Sequence, residues 1–309
     1  MGKICLGIDT SCYTTSLAVM TEDKHRHYKI PLKVKDGQCG LRQSDAVFEH
    51  IKNRPVLFEE MKQEFDLGKY DEKIISVSTK PRNAEGSYMP VFMAGHSFAR
   101  AVAASVGARL NCTSHQEGHI MAAIYSCGVW SILERPFLAV HISGGTTEIV
   151  VAKWNGAGFD SEIVGGTKDL PAGQFIDRIG VLMGIEFPCG KYLDTMAVEY
   201  DGNEKVKTAV DGCYINFSGE ETRYRRAFEK GELKEKVAYC TMKVIRESLV
   251  ESIENAKKEY KIENVLMAGG VSSSAFVRQG FENISGVYFA EAELSTDNAV
   301  GVCKLAEFI

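Results

Sequence analysis

The sequence predicts an α/β protein of two lobes, each built on a mixed β-sheet flanked by helices and each opened by a β-hairpin. Three observations predict it. The chain has 309 residues, enough for two lobes of about 150 each. Short apolar runs with strand character alternate with stretches of helical spacing. The pattern also begins a second time near residue 137. On this reading residues 1–133 with 295–309 form the N-terminal lobe and 134–294 the C-terminal lobe, with a cleft between them.

Taken in order, 3–9 is an apolar run, 10–15 a hydroxyl-rich turn and 16–21 a returning strand. A third strand is expected at 25–34. Residues 45–65 read as a helix that Pro55 should bend or interrupt. A strand at 73–79, a loop at 80–90, a small-residue helix at 91–105 and a strand at 108–113 follow. The second lobe opens with a strand at 137–143, a tight turn at Gly144-Gly145-Thr146-Thr147 and strands at 148–154 and 160–164. Helices are expected at 171–184 and 232–260. A strand at 264–268 ends in Gly269-Gly270-Val271-Ser272. A helix, a strand at 286–290 and a helix at 297–308 complete the chain.

Hydrophobic residues make up 45% and charged residues 25%, the balance of a globular protein. The net charge of −5 excludes a global basic field for nucleic acid and leaves room for a local basic groove. Nine cysteines, an odd number without C-x-x-C spacing, argue for reduced thiols and a cytoplasmic location. The chain enters a strand at once, so no signal peptide is expected. No apolar run is long enough to span a membrane.

His115-Gln116-Glu117-Gly118-His119 sets two imidazoles four residues apart. On a helix they share one face, where both can hold a single metal ion; two unrelated surface histidines give the same spacing. In the zinc-peptidase pattern the glutamate directly follows the first histidine. Glu117 stands about 200° around the helix from each histidine and is misplaced for that role.

The lobe openings correspond. Leu6-Gly7-Ile8-Asp9-Thr10-Ser11 and Val140-His141-Ile142-Ser143-Gly144-Gly145 each join an apolar strand to a small-residue turn and a returning strand. Duplicated hairpins of this kind grip phosphates from two sides in actin-like and sugar-kinase ATPases, through backbone N–H groups. The third glycine turn, Gly269-Gly270, gives an adenosine bare backbone to pack on.

With these motifs in place, the chain resembles the TsaD family of actin-like transferases, which complete threonylcarbamoyladenosine beside the tRNA anticodon. The resemblance runs over nearly the whole chain. It is carried by Gly7-Ile8-Asp9-Thr10-Ser11-Cys12, His115-Gln116-Glu117-Gly118-His119, Ser143-Gly144-Gly145-Thr146-Thr147, Ala172-Gly173-Gln174-Phe175-Ile176-Asp177, Phe187-Pro188-Cys189-Gly190, Asn216-Phe217-Ser218-Gly219, Met267-Ala268-Gly269-Gly270-Val271-Ser272 and Ser295-Thr296-Asp297-Asn298-Ala299.

The resemblance implies one divalent ion, iron or zinc, held by His115, His119 and Asp297. His141, where some members carry a tyrosine, is expected as a fourth ligand, since imidazole is the better neutral donor. It further implies an adenine nucleotide or carbamoyl adenylate at Ser143, Gly144 and Gly145, with Asp177 on the ribose, Gly190 against the nucleoside, and Gly269, Gly270 and Ser274 nearby. Ser274 replaces a family asparagine. Asp9 and Ser143 are the expected catalytic residues. Partners implied are tRNA and helper protein subunits, with no membrane.

The departures lie in the substrate-facing residues. Tyr13-Thr14 replaces an acidic pair, Lys80-Pro81-Arg82-Asn83 replaces a Gly-Pro-Gly loop, Thr146 follows the glycine turn, and Lys168-Asp169 replaces two acids. They suggest a divergent paralogue. A non-catalytic nucleotide-binding partner subunit and an ATP-dependent small-molecule carbamoyltransferase or kinase are the competing readings.

Overall fold

The computed structural model describes residues 2–11, 13–33 and 41–309. In chain order the elements of the first half are β1 (Lys3–Thr10), β2 (Thr14–Thr21), β3 (His25–Pro31), α1 (Gln43–Glu64), β4 (Glu72–Lys80), α2 (Pro90–Val106), β5 (Arg109–Ser114) and α3 (His115–Cys127). The second half has β6 (Phe137–Ile142), β7 (Thr147–Trp154), β8 (Phe159–Thr167), α4 (Ala172–Leu182), α5 (Gly190–Glu199), β9 (Val210–Asp211) and β10 (Tyr214–Ile215). It ends with α6 (Ser218–Glu229), α7 (Lys234–Tyr260), β11 (Val265–Ala268), α8 (Ala275–Gln279), β12 (Val287–Phe289) and α9 (Val300–Leu305). Two compact units result. One holds Met1–Gly128, Trp154–Asp160 and Thr296–Ile309, the other Val129–Lys153 and Ser161–Ser295.

The first unit carries a five-stranded mixed sheet in the order β3-β2-β1-β4-β5. The hairpin β1–β2 is antiparallel, β3 adds antiparallel to β2, and β4 and β5 add parallel on the other side. Alternate residues Ile4, Leu6 and Ile8 of β1 pack with Leu57 and Met61 of α1 and Ala99 and Ala103 of α2. The opposite face receives α9, where the Cys303 thiol donates to the Cys5 carbonyl at 3.1 Å. Covered on both faces, β1 is buried along nearly its whole length, as a central strand requires.

The second unit carries a seven-stranded mixed sheet, β12-β11-β6-β7-β8-β10-β9. Its hairpin β6–β7 is antiparallel, and β11 pairs parallel with β6. The long helix α7 supplies Val237, Met242, Ile245, Leu249 and Ile253 to the core. Each such fully buried aliphatic side chain contributes about 1.5–3 kcal/mol relative to exposure.

Four sequence expectations are corrected. Helix α1 is not interrupted at Pro55. Pro55 and Ile51 are exposed, so the Ile51 carbonyl that loses its N–H partner faces water. The C-terminal helix begins at Val300 rather than 297, because the Asn298 side chain accepts from the N–H groups of Val300 and Gly301 and caps it. Gly270 leads into a single 3-10 turn, Gly270–Ser273, before the short α8. Helices α5 and α6, unforeseen in the sequence, follow α4 and β10. Val34, the expected end of the third strand, lies outside the described residues, as does Cys12. Among the described residues no helix is long and apolar enough to cross a membrane, and seven cysteines are free thiols.

Candidate metal centre

Helix α3 begins with a capping box. Ser114 Oγ accepts from the Glu117 N–H at 3.2 Å, and Glu117 Oε2 accepts from the Ser114 N–H at 2.8 Å. Such a cap stabilises a helix start by about 1 kcal/mol. The buried Glu117 also accepts from Thr113 Oγ1 at 3.1 Å and, through Oε1, from the Phe159 N–H at 3.1 Å. The Gln116 N–H donates to the Pro81 carbonyl at 2.9 Å. Glu117 is therefore a structural carboxylate, in keeping with its place off the histidine face.

With the helix start fixed, His115 and His119 project one turn apart and their Nε2 atoms stand 3.0 Å from each other. Asp297 Oδ1 lies 3.6 Å from His115 Nε2 and 3.4 Å from His119 Nε2. Helix packing brings this carboxylate in. A Cβ on Gly301 would overlap the Gly118 carbonyl, and one on Gly118 would sit 2.7 Å from Val302 Cγ2. Two bare glycines thus let α9 cross α3 in close contact, and Asp297, in the turn before α9, lands beside the histidines.

Donors sharing an ion at about 2.0–2.1 Å stand roughly 3.0–3.4 Å apart. The His115–His119 and His119–Asp297 separations fall in that range, and the His115–Asp297 separation of 3.6 Å lies just beyond it. Two imidazole nitrogens and a carboxylate oxygen suit zinc or iron alike. The side chains are 20%, 7% and 23% exposed for His115, His119 and Asp297, so the site is open to an ion from solvent.

Behind His115 stands Asp9, fully buried at the end of β1. Its Oδ1 lies 3.0 Å from His115 Nδ1, it accepts from the Ser78 hydroxyl, and its Oδ2 accepts from the Ser11 N–H at 3.2 Å. Burial pushes the Asp9 carboxyl up, but the His115 ring and the Ser78 bond outweigh it and hold the group ionised, below its ordinary range. Burial likewise pulls His115 down, and Asp9 and Asp297 together drive it well above the usual histidine value. For Asp297, burial is outweighed by His115 and His119, and its carboxyl lies well below the usual range.

The first hairpin tip has a second buried histidine that the sequence reading missed. His50 Nε2 is 2.8 Å from the Ser11 carbonyl, which can only accept, so Nδ1 accepts from Thr15 Oγ1 at 2.8 Å. The signal was the stripe Ala46, His50, Leu57 and Met61 on α1, where a histidine sits among core positions.

In the second unit, the Ser143 N–H donates to the Thr146 carbonyl at 2.7 Å, and Ser143 Oγ accepts from the Thr146 N–H at 3.2 Å. Gly144 and Gly145 form the exposed tip of this turn. His141, paired in register with Glu148, stands on β6 just before it. Gly269 has φ +96°, and a Cβ there would overlap the Ile142 carbonyl and sit 2.8 Å from His141 Cδ2. Gly269 and its neighbour Gly270 thus share a strand-end cluster with His141 and Ser143.

The other expected residues have structural partners. Asp177 accepts from the Cys189 N–H at 2.9 Å, and burial raises its carboxyl above the ordinary value. Gly190 opens α5. Ser274 caps α8 by accepting from the Val277 N–H at 3.0 Å and donates its hydroxyl to Asp194. Asp169, in the altered acidic pair, accepts from the N–H groups of Phe217 and Ser218 and closes the start of α6.

Two mixed sheets flanked by helices, each opened by a hairpin, and a His-His-Asp cluster at one helix start define an α/β protein of two sheet units with a candidate metal centre. The chain belongs to the TsaD family, tRNA N6-adenosine threonylcarbamoyltransferase, whose sequence profile matches residues 34–302. Relatives named tRNA N6-adenosine threonylcarbamoyltransferase include that of Mycoplasmopsis synoviae, 28% identical over 98% of this chain and 97% of its own. Another is that of a Sulfurihydrogenibium species, 30% identical over 97% of this chain and 88% of its own. Among solved structures, the activator of the 2-hydroxyisocaproyl-CoA dehydratase from Clostridium difficile superposes with a TM-score of 0.53 at 11% identity, over 100% of this chain and 94% of that one. Full-length HypF matches with a TM-score of 0.60 at 12% identity, over 98% of this chain and 46% of that one. These structural likenesses bear on the fold.

Proposed function

We propose that this chain is a metal-dependent transferase that moves a threonylcarbamoyl-type group from its adenylate to an adenosine of tRNA. The observation that carries the reading is the convergence of His115, His119 and Asp297, with Asp9 behind His115. His115, His119 and Asp297 would hold one ion, zinc or iron, and His141 would add a fourth donor. A divalent ion there supplies Lewis acidity toward carbamoyl or carboxylate oxygens.

The chain's own groups do the rest. The exposed backbone N–H groups of Gly144 and Gly145 would donate to the oxygen that gains charge as the carbonyl is attacked, with Ser143, whose own N–H is bound to the Thr146 carbonyl, holding the turn. The exocyclic amine forms the new C–N bond and gives up a proton to the departing phosphate or to water. The C–O bond to phosphate breaks, and AMP leaves with its electrons. Asp177 and Gly190 would meet the nucleoside, and Gly269 and Gly270 its bare-backbone side. Ser274 reaches that region through Asp194. Asp9 serves as a positioning residue for His115, in place of the catalytic role the sequence suggested. Helper subunits and a cytoplasmic setting belong to the same reading; Phe48 and Ile51, exposed on α1 at 60% and 50%, offer a protein partner an apolar face.

Mass spectrometry of tRNA nucleosides from cells with and without the protein tests this. Loss or mass change of a carbamoylated adenosine supports it, and the mass names the acyl group. Unchanged nucleosides, with no second family member present, overturn it. One observation favours a second reading, a small-molecule carbamoyltransferase or kinase. The Pro81 carbonyl is bound to the start of α3, which holds Lys80 and Arg82 beside the cluster. Activity on an anionic small acceptor and none on tRNA would select it. A chain that binds nucleotide yet holds no metal and modifies neither acceptor would be a non-catalytic partner subunit.

A further inference from the structure

An open depression of about 720 Å³ lies along α6. Asp169 occupies the N–H groups of Phe217 and Ser218 at the start of α6, and the depression is lined mainly by side chains further along the helix. Arg223, Arg226 and Lys230 recur at three- and four-residue spacing and share one helical face. The floor between them is low, because Gly219, Thr222 and Ala227 are small.

Of the acids on and beside α6, Glu221 and Glu229 lie outside the lining of the depression, and Glu220 and Glu232 are paired. Glu220 Oε2 lies 3.0 Å from Arg223, and Glu232 Oε2 lies 2.9 Å from Lys236. Among the described residues, no ion pair joins Arg226 or Lys230 to a carboxylate, and both are exposed. A chain of net charge −5 repels polyanions at long range, so it must concentrate cations where it holds one. Arg226 and Lys230 are one turn apart, about 6 Å along the axis, the scale of a phosphodiester step. The depression is open along the helix, which suits an extended polymer.

We propose that this face of α6 docks the phosphate backbone of the tRNA. It positions the RNA and reads no bases. The inference rests on the tRNA-directed reading above.

The test is fluorescence anisotropy with a labelled, unmodified tRNA transcript and the full chain, titrated across salt. The variant Arg226→Glu/Lys230→Glu should bind at least about tenfold more weakly near 100 mM salt, and the slope of log K against log salt should flatten by about two. Arg226→Gln/Lys230→Gln should fall between, and matching circular dichroism melts show that both variants fold. Wild-type binding with no change in affinity or slope in either variant overturns the surface alone. A wild type that binds no tRNA at any salt overturns the surface and the tRNA reading together. If the variants lose inorganic polyphosphate but keep tRNA, the face belongs to a smaller polyanion and the RNA assignment fails.

Discussion

Asp9 Oδ1 lies 3.0 Å from His115 Nδ1, the ring nitrogen opposite the one that faces His119. An ionised carboxylate accepts only, so His115 keeps a proton on Nδ1 toward Asp9, and a metal binding at Nε2 would displace the second proton there. Asp9→Ala should weaken zinc binding by about 10–100-fold while one site per chain remains. Competition against a chromophoric chelator measures this, and equal affinities for both proteins would sink the positioning role.

His119→Ala and Asp297→Ala each remove a donor. Wild-type protein loaded with zinc or iron and dialysed should hold about one ion per chain, and each variant should hold far less. Ions that bind only the folded state also stabilise it, by roughly 2.7 kcal/mol at a hundredfold excess over Kd, and so raise the melting temperature. The readouts are elemental analysis and a melting curve, and full occupancy in both variants would remove the cluster from consideration.

His27 links stability to pH. It sits on β3 with Nε2 buried and, among the described residues, unpartnered, and burial, helped by Lys29, lowers it from 6.5 to about 4. The folded value is depressed, so the neutral ring's contribution is complete above pH 6.5 and is lost as pH falls toward 4. Between pH 7 and pH 5 this group alone should cost about 2 kcal/mol. Urea unfolding of wild type and His27→Phe at both pH values isolates it. Parallel losses in the two proteins would show that His27 titrates normally.

Gly269 tests the second unit. Its φ of +96° and the closeness of the Ile142 carbonyl leave no room for a methyl group. Gly269→Ala should lower stability by about 2 kcal/mol or more, and urea unfolding would show it. A wild-type midpoint would mean that this strand end relaxes easily.

Much of this was legible in the sequence, for local reasons. The two hairpins announce themselves through apolar runs joined by small-residue turns. The His115–His119 pairing follows from spacing alone, because Ser114 and Glu117 make the helix start where the pattern suggests. Asp297 is different. Its approach depends on two glycines at a helix crossing, Gly118 and Gly301, and no local pattern reveals which helices cross. Pro55 misleads because its cost depends on whether the freed carbonyl meets water, a tertiary fact. Helix α6 escaped notice because it buries only Tyr224 and so carries little apolar stripe. His50 falls on the apolar stripe of α1, but no local pattern shows that Ser11 and Thr15 fold onto it.

The bonds that hold the start of α3 involve Glu117, Ser114, Thr113 and Phe159, and none of them uses the faces of His115 and His119 that point at Asp297. The framework around the ion is therefore assembled by the chain itself. Treatment with a chelator should leave a folded protein, and a divalent ion added afterwards should bind in a single step with no refolding phase.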